Sequence, residues 1–343
     1  METRRGSRRF RLTGPLVALG GIALLVWSVR QGGVTAVIDG VQRVGAAGIT
    51  IVCLLGGLRG LIRAAAWRLC LDREHRATLG SVFTAYLSGD AIGNVTPFGL
   101  FISEPSKIAL LRPRIDVEAS IAALAVENLF YSATVVIVLI AGTAALLMSF
   151  EVSQPAKVAS LGTAALGVAL AFVAAWIVST RRRVVSGAVE WMIRRGIGTP
   201  YWSEHLPSIR RTGDLIFGFV LRRRRAVLPL LALELCYHTV AVLETWYAID
   251  LVTGARPGLL TAFVLEYVNR SITVAFQFVP MSLGVDEAGT SLATNALGLG
   301  SAAGVSLALV RKARIVIWTA IGLGLLATSG RRGQHMRPTV YSR

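Results

Sequence analysis

The sequence predicts an all-α, polytopic integral membrane protein: about six spanning helices plus two re-entrant or broken-helix hairpins, arranged as an inverted repeat. Three observations predict it. The 343 residues are 54% hydrophobic with a mean hydropathy of +0.61, too apolar for an ordinary soluble domain. Apolar runs near the bilayer-crossing length of about 20 residues recur along the chain. The basic residues behind the net charge of +17 cluster beside those runs rather than along one face, which fits the topology rule better than nucleic-acid binding.

Taken in order, the first 11 residues are basic and precede an apolar run over 12–30. A secretory leader would look similar. No small-residue cleavage site follows and the rest of the chain also spans, so the run is read as a retained first helix. Further spans are expected at 47–71, 117–149, 157–179, 226–251 and 302–328. Two more apolar segments, 79–111 and 259–299, contain Pro, Gly and Ser in their middles and are too interrupted for one straight helix. Residues 180–225 form a basic loop with amphipathic stretches at Val184 to Ile193 and Ile209 to Val220. That loop is read as a cytoplasmic anchor, with binding of anionic headgroups as the sharper alternative.

Lysine and arginine counts give an orientation. With both termini in the cytoplasm, the inside segments 1–11, 72–78, 105–116, 180–225 and 331–343 hold 25 of the 36 basic residues. The outside loops hold four, Arg30, Arg43, Lys157 and Arg256. This asymmetry predicts a multi-pass protein of a bacterial or archaeal cytoplasmic (inner) membrane, N-terminus and C-terminus inside. The whole chain is then one transmembrane domain, with a first unit at 47–149 and a second at 226–328.

The two interrupted segments share a pattern. Asn94-Val-Thr-Pro97-Phe-Gly-Leu-Phe-Ile-Ser-Glu104 is matched by Pro280-Met-Ser-Leu-Gly-Val-Asp286-Glu287-Ala-Gly289. Each has a leucine three residues after the proline and a glutamate seven after it. The orientation makes the first hairpin enter from inside and the second from outside, the arrangement of an inverted-topology repeat.

Charged groups inside a membrane sequence are expensive and mark candidate sites. Glu104 and Glu287 could face a wet cavity and bind a cation, a proton or a polar headgroup. Equally, each could cap the short helix after its break; the two roles are compatible. Arg59 and Arg63, spaced i, i+4, share a helix face, while Arg311, Lys312 and Arg314 begin the outer half of the last span and Arg270 precedes the second break. Arg59, Arg63 and Arg311 are too deep to reach the interface. They are expected either to pair with Glu104, Glu127, Glu266 or Glu287 or to receive a lipid phosphate, for which the guanidinium fork is suited. Arg68 is expected to snorkel. Glu234 and His238 are also i, i+4, as a proton relay or a simple hydrogen-bonded pair. The cysteines Cys53, Cys70 and Cys236 suggest neither a disulfide framework nor a metal site, and no nucleotide or hydrolase motif occurs. No cofactor, metal or nucleic acid is expected.

The pairing of Asn94…Pro97-x-Gly99…Glu104 with a late Pro280…Leu-Gly-Val-x-Glu287-x-Gly289, in a basic multi-span chain, resembles the flippase-like transmembrane family, also called the lysylphosphatidylglycerol synthase transmembrane region. The resemblance covers roughly residues 12–330. Members fused to an aminoacyl-transferase domain move aminoacylated phosphatidylglycerol between leaflets; stand-alone members are linked to export of glycolipid, isoprenoid and hopanoid lipids. The resemblance therefore implies a translocating unit without synthase activity. Two departures stand out. Phe101-Ile102-Ser103 replaces paired glycines before the first glutamate, and Met281-Ser282 replaces the Gly-Gly of a Pro-Gly-Gly turn.

The expected function is translocation of a phospholipid, glycolipid or isoprenoid/hopanoid lipid with a polar or anionic head. Its candidate binding residues are Arg59, Arg63, Asn94, Pro97, Glu104, Glu127, Arg270, Pro280, Glu287 and Arg311. The alternative is an intramembrane enzyme using Glu104, Glu127 and Glu287 as acid and base, or an accessory subunit presenting lipid to a partner transferase.

Overall fold

A computed structural model describes residues 23–71, 77–96, 99–112, 115–151, 153–179, 184–277 and 279–334. The regular structure among those residues is all helical, with no strand among them. The order is α1 (23–32), α2 (Val34–Cys70), α3 (Leu79–Val95), α4 (Gly99–Leu111), α5 (Val117–Ser149), α6 (Gln154–Ser179), α7 (Val184–Arg194) and α8 (Thr199–Arg222). It continues with α9 (Arg224–Thr253), α10 (Leu259–Ala275), a 3₁₀ turn (Pro280–Ser282), α11 (Val285–Ala296) and α12 (Ser301–Gln334). By length and apolar composition α2, α5, α6 and α9 are each able to cross a membrane. The chain is a polytopic membrane protein.

The sequence explains most boundaries. Thr78 caps α3, its hydroxyl accepting from Ser81 N at 3.2 Å. Pro200 stands in the first turn of α8, where its missing N–H costs nothing. Gly254 closes α9 with φ +65°, a conformation easily reached only without a Cβ. The expected span 47–71 begins earlier than anticipated, at Val34, and bends at Gly45, whose φ of +61° and ψ of 179° are not helical. Asp39 and Arg43 hid that first part in a hydropathy reading. Arg43 is accordingly in a helix, not a loop, and donates to the carbonyl of Val252.

Both interrupted segments fold as helix pairs. α3 and α4 lie tightly against each other; α10 and α11 are joined through the 3₁₀ turn. The 17 residues of α3 and of α10 reach about 26 Å at 1.5 Å per residue, short of a full hydrocarbon layer. α2 crosses α9 along much of its length, with α12 against both. Small residues permit this approach: Gly48 faces Leu251, Gly40 faces Ser306, and Gly57 faces Trp318, whose indole donates to Cys53 O at 2.9 Å. The hairpins exchange partners. α3 packs on α12, the helix that follows the second hairpin, and α10 packs on α5, the helix that follows the first.

The stretch 180–225 is more ordered than a loop. Where it is described it forms the helical pair α7 and α8, docked on α5. Arg223 ties it to the end of α2 by donating to the carbonyls of Cys70 and Leu71.

Candidate functional site

A cavity of about 1270 Å³ opens between the two hairpins. Asp90, Asn94, Ser103 and Glu104 line it from α3 and α4, while Asn269, Arg270, Pro280, Ser282 and Asp286 line it from the second hairpin. The facing wall is α5 and α6, with Leu129, Val135, Val136, Leu139, Leu166 and Ala171. The hairpin side is therefore charged and hydrogen-bonding, and the α5–α6 wall is mostly aliphatic, with Tyr131, Ser132 and Thr163 among its residues. The volume exceeds the few hundred Å³ that suffice for a small ligand.

Four of the ten predicted residues meet in this cavity: Asn94, Glu104, Arg270 and Pro280. Asn94 donates to Thr319 on α12 at 3.0 Å. Glu104 accepts from Lys107 at 3.0 Å and from Asn128 at 3.2 Å, and its side chain is 22% exposed. Arg270 donates to the Tyr131 hydroxyl at 2.7 Å and to Glu266 at 3.2 Å. Pro97 lies outside the described residues.

The other five are buried away from the lining, in a layer of ion pairs between the helices. Arg59 contacts Glu244 at 2.9 Å and donates to the Tyr237 hydroxyl, also at 2.9 Å. Arg63 contacts Glu127 at 2.8 Å and Glu234 at 3.5 Å, donates to Asn128 at 3.1 Å, and lies 3.8 Å above the Tyr131 ring. Arg311 sits 3.6 Å from Asp286 and 4.0 Å from Glu266. Glu287 is fully buried, pairs with Lys312 at 3.1 Å, and accepts from Gly284 N at 2.7 Å. Buried charges need such partners, because an unpaired one in this setting costs several kcal/mol. Arg59, Arg63 and Arg311 thus each have carboxylate partners, which fits the pairing expectation without a lipid phosphate.

The two roles expected of the glutamates divide between the hairpins. Glu287 closes a capping arrangement with Gly284 at the start of α11. Glu104 stands inside α4, well past its start at Gly99, and faces the cavity. An acid–base set of Glu104, Glu127 and Glu287 is not assembled, since Glu127 and Glu287 are 1% and 0% exposed and do not line the cavity. Glu234 and His238 share a helix face but no hydrogen bond; His238 Nε2 is 3.1 Å from the Thr134 hydroxyl and stacks on Tyr131.

Sequence reasoning missed several participants. Lys107 falls among the basic residues of the expected inside segment 105–116. It is 3% exposed and bridges Asp90 at 2.8 Å and Glu104 at 3.0 Å, because α4 folds back along α3. Asp90 had a readable signal, standing one helical turn before Asn94 as the one charged residue of its helix. Glu234 and Glu244 had none as partners, since each meets its arginine across more than 150 residues of chain. Arg68 is exposed and donates to Ala77 O at the end of its helix.

The turn of the second hairpin explains one departure from the expected motif. Met281 and Ser282 have φ of +52° and +49°, a region glycine enters freely and other residues enter at a cost. A Gly-Gly pair would sit there without strain. The turn directs the Ser282 carbonyl toward Lys312, 3.4 Å away.

Comparison with known proteins gives one result. A family model described as the lysylphosphatidylglycerol synthase TM region matches residues 12–324. Neither curated proteins nor solved structures give a match to the chain.

Proposed function

The chain belongs to the lysylphosphatidylglycerol synthase transmembrane-region family, and on that premise we propose that it moves an amphipathic lipid between the leaflets of a membrane. The observation that carries the reading is the two-sided character of the cavity. A lipid head would enter the polar end between the hairpins while its chain lies along the aliphatic wall of α5 and α6. Of the lining groups Arg270 is the guanidinium suited to an anionic or phosphate-bearing part of the head. Asp90, Glu104 and Asp286, with Asn94 and Asn269, would take its hydroxyl or ammonium donors. Arg59, Arg63, Glu127, Glu287 and Arg311 act in this reading from beneath, holding the hairpins in register.

In the proposed arrangement α2–α5 and α9–α12 are two units of opposite topology, supported by the exchange of partners between hairpins. The termini and the basic helical pair α7–α8 lie on the cytoplasmic side of the inner membrane, as the distribution of lysine and arginine suggests. A lipid-modifying enzyme is the natural partner, since a modified lipid made on one face needs a carrier to the other.

Leaflet exchange in liposomes tests the reading. Purified protein is reconstituted with headgroup-labelled phospholipid, glycolipid and isoprenoid probes. Protein-dependent exchange of one class is expected, falling at least tenfold in Glu104→Gln and in Arg270→Gln. Equal exchange in wild type and both variants would remove the cavity from the mechanism. Absence of exchange for every probe by folded protein would remove translocation itself.

A further inference from the structure

Beneath the cavity lies a group whose charges do not balance. Glu127 on α5 and Glu234 on α9 both approach one atom, Nη1 of Arg63 on α2, at 2.8 and 3.5 Å. Their exposures are 1% and 0%. The contacts are ionic but off the hydrogen-bonding direction, so none of the four carboxylate oxygens accepts a hydrogen bond. Two carboxylates therefore share one guanidinium whose other terminal nitrogen already donates to Asn128.

The surrounding groups do not supply the missing positive charge. On α2, Arg59 is held by Glu244, which it shares with Arg314 of α12, and by Tyr237, and Cys70 is a free thiol. On α9, Tyr237 serves Arg59 and His238 is bonded to Thr134. On α5, Tyr131 accepts from Arg270, which also serves Glu266 on α10. From the first hairpin Lys107 is taken by Asp90 and Glu104, with its ammonium 4.4 Å above the Tyr86 ring. Arg223, at the entrance to α9, donates to main-chain carbonyls of Cys70 and Leu71. Among the described residues no second cation lies within ion-pair distance of Glu127 or Glu234.

A net negative charge held in dry protein within a membrane is far costlier than a neutral group. Binding one proton removes it. The neutral acid then carries no charge to be solvated, while the ionised one retains Arg63. We propose that the Glu127–Glu234 pair beside Arg63 is a proton-binding site, occupied by one exchangeable proton and linked to the cavity through Arg63, Asn128 and Glu104. The link is a continuous chain: Arg63 Nη2 donates to Asn128 Oδ1 at 3.1 Å, and Asn128 Nδ2 donates to Glu104 Oε2 at 3.2 Å. A change of charge at Glu104, as when a lipid head binds, would be felt at the buried pair. That last consequence rests on the proposed translocation; the proton site does not.

Infrared spectroscopy of the protein in nanodiscs, with and without deuteration, tests the site independently of transport. Wild type is expected to show a protonated-carboxyl band at neutral pH. Glu127→Gln and Glu234→Gln should each lose it, because the remaining carboxylate then pairs with Arg63 alone. Each glutamine is isosteric with the protonated acid, so Glu234→Gln should unfold at the wild-type temperature. Glu104→Gln removes a nearby negative charge and should lower the pH midpoint of the band by roughly half a unit or more. No such band at neutral pH, a band surviving in both glutamine variants, or a Glu234→Gln protein that fails to fold would overturn the proton site. A midpoint unmoved by Glu104→Gln would overturn the link to the cavity.

Discussion

The two hairpins carry a glutamate at the same distance from a proline and use it differently. In the second, Glu287 is sealed from solvent, caps α11 through Gly284 N and neutralises Lys312. In the first, Glu104 is partly exposed to the cavity and shares Lys107 with Asp90. The cavity-facing acid of the second hairpin is instead Asp286, one residue earlier. The same spacing from a proline therefore puts one acid in the first turn of its helix and the other in the second, and the neighbouring helix supplies a different partner to each. On the first side that neighbour is α5, with Asn128; on the second it is α12, with Lys312.

The largest difference should appear in stability. Glu287→Ala removes the cap and leaves Lys312 with one carboxylate, Asp286, 3.9 Å away and already shared with Arg311, and the Ser282 carbonyl. A loss of about 3–5 kcal/mol is expected from breaking a buried pair, read by circular dichroism during unfolding in mixed micelles. Glu104→Gln should cost less than about 1 kcal/mol, because Lys107 keeps Asp90 at 2.8 Å and the site is partly hydrated. Equal losses in the two variants would mean that the hairpins do the same job.

A second contrast concerns close packing. A Cβ at Gly99 would collide with the main chain of Gly93 on α3, which cannot step aside. A Cβ at Gly289 would meet only the end of the flexible Ile272 side chain. Gly99→Ala should destabilise by roughly 2 kcal/mol through forced separation of α3 and α4, and Gly289→Ala by less than about 1 kcal/mol. Cross-linking of cysteines placed on α3 and α4 would report the separation directly. Unchanged cross-linking in Gly99→Ala would show that α4 tolerates a shift.

Much of this architecture was legible in the chain. The expected span 117–149 coincides with α5, and 226–251 and 302–328 fall inside α9 and α12, because uninterrupted apolar runs have few other options in a membrane. The breaks at 79–111 and 259–299 were legible because Pro, Gly and Ser mark where helix cannot continue. Charge pairing was not. Arg59 and Arg63 on α2 oppose Glu244 and Glu234 on α9. Each partner lies more than 150 residues away in the chain, so no local pattern marks it. Nor could hydropathy reveal which buried acids face the cavity, since Asp286 and Glu287 are adjacent in sequence and separated only by the turn of a helix.

The smallest effect tests the turn that distinguishes the second hairpin. Met281 and Ser282 hold left-handed φ values, each at a cost of roughly 1–2 kcal/mol for a residue with a Cβ. Glycine would relieve that strain but would also gain freedom in the unfolded chain, worth about 0.5–1 kcal/mol in the opposite sense. Met281→Gly and Ser282→Gly should therefore each stabilise by a net of about 0.5–1 kcal/mol. Both residues line the cavity, so the methionine substitution also widens it beside Pro280 and Asp286. If the strain is only structural, the Ser282→Gly protein will be more stable and exchange lipid at the wild-type rate. A more stable protein with slower exchange would instead mean that the strained turn, with its carbonyl aimed at Lys312, is part of how the second hairpin moves.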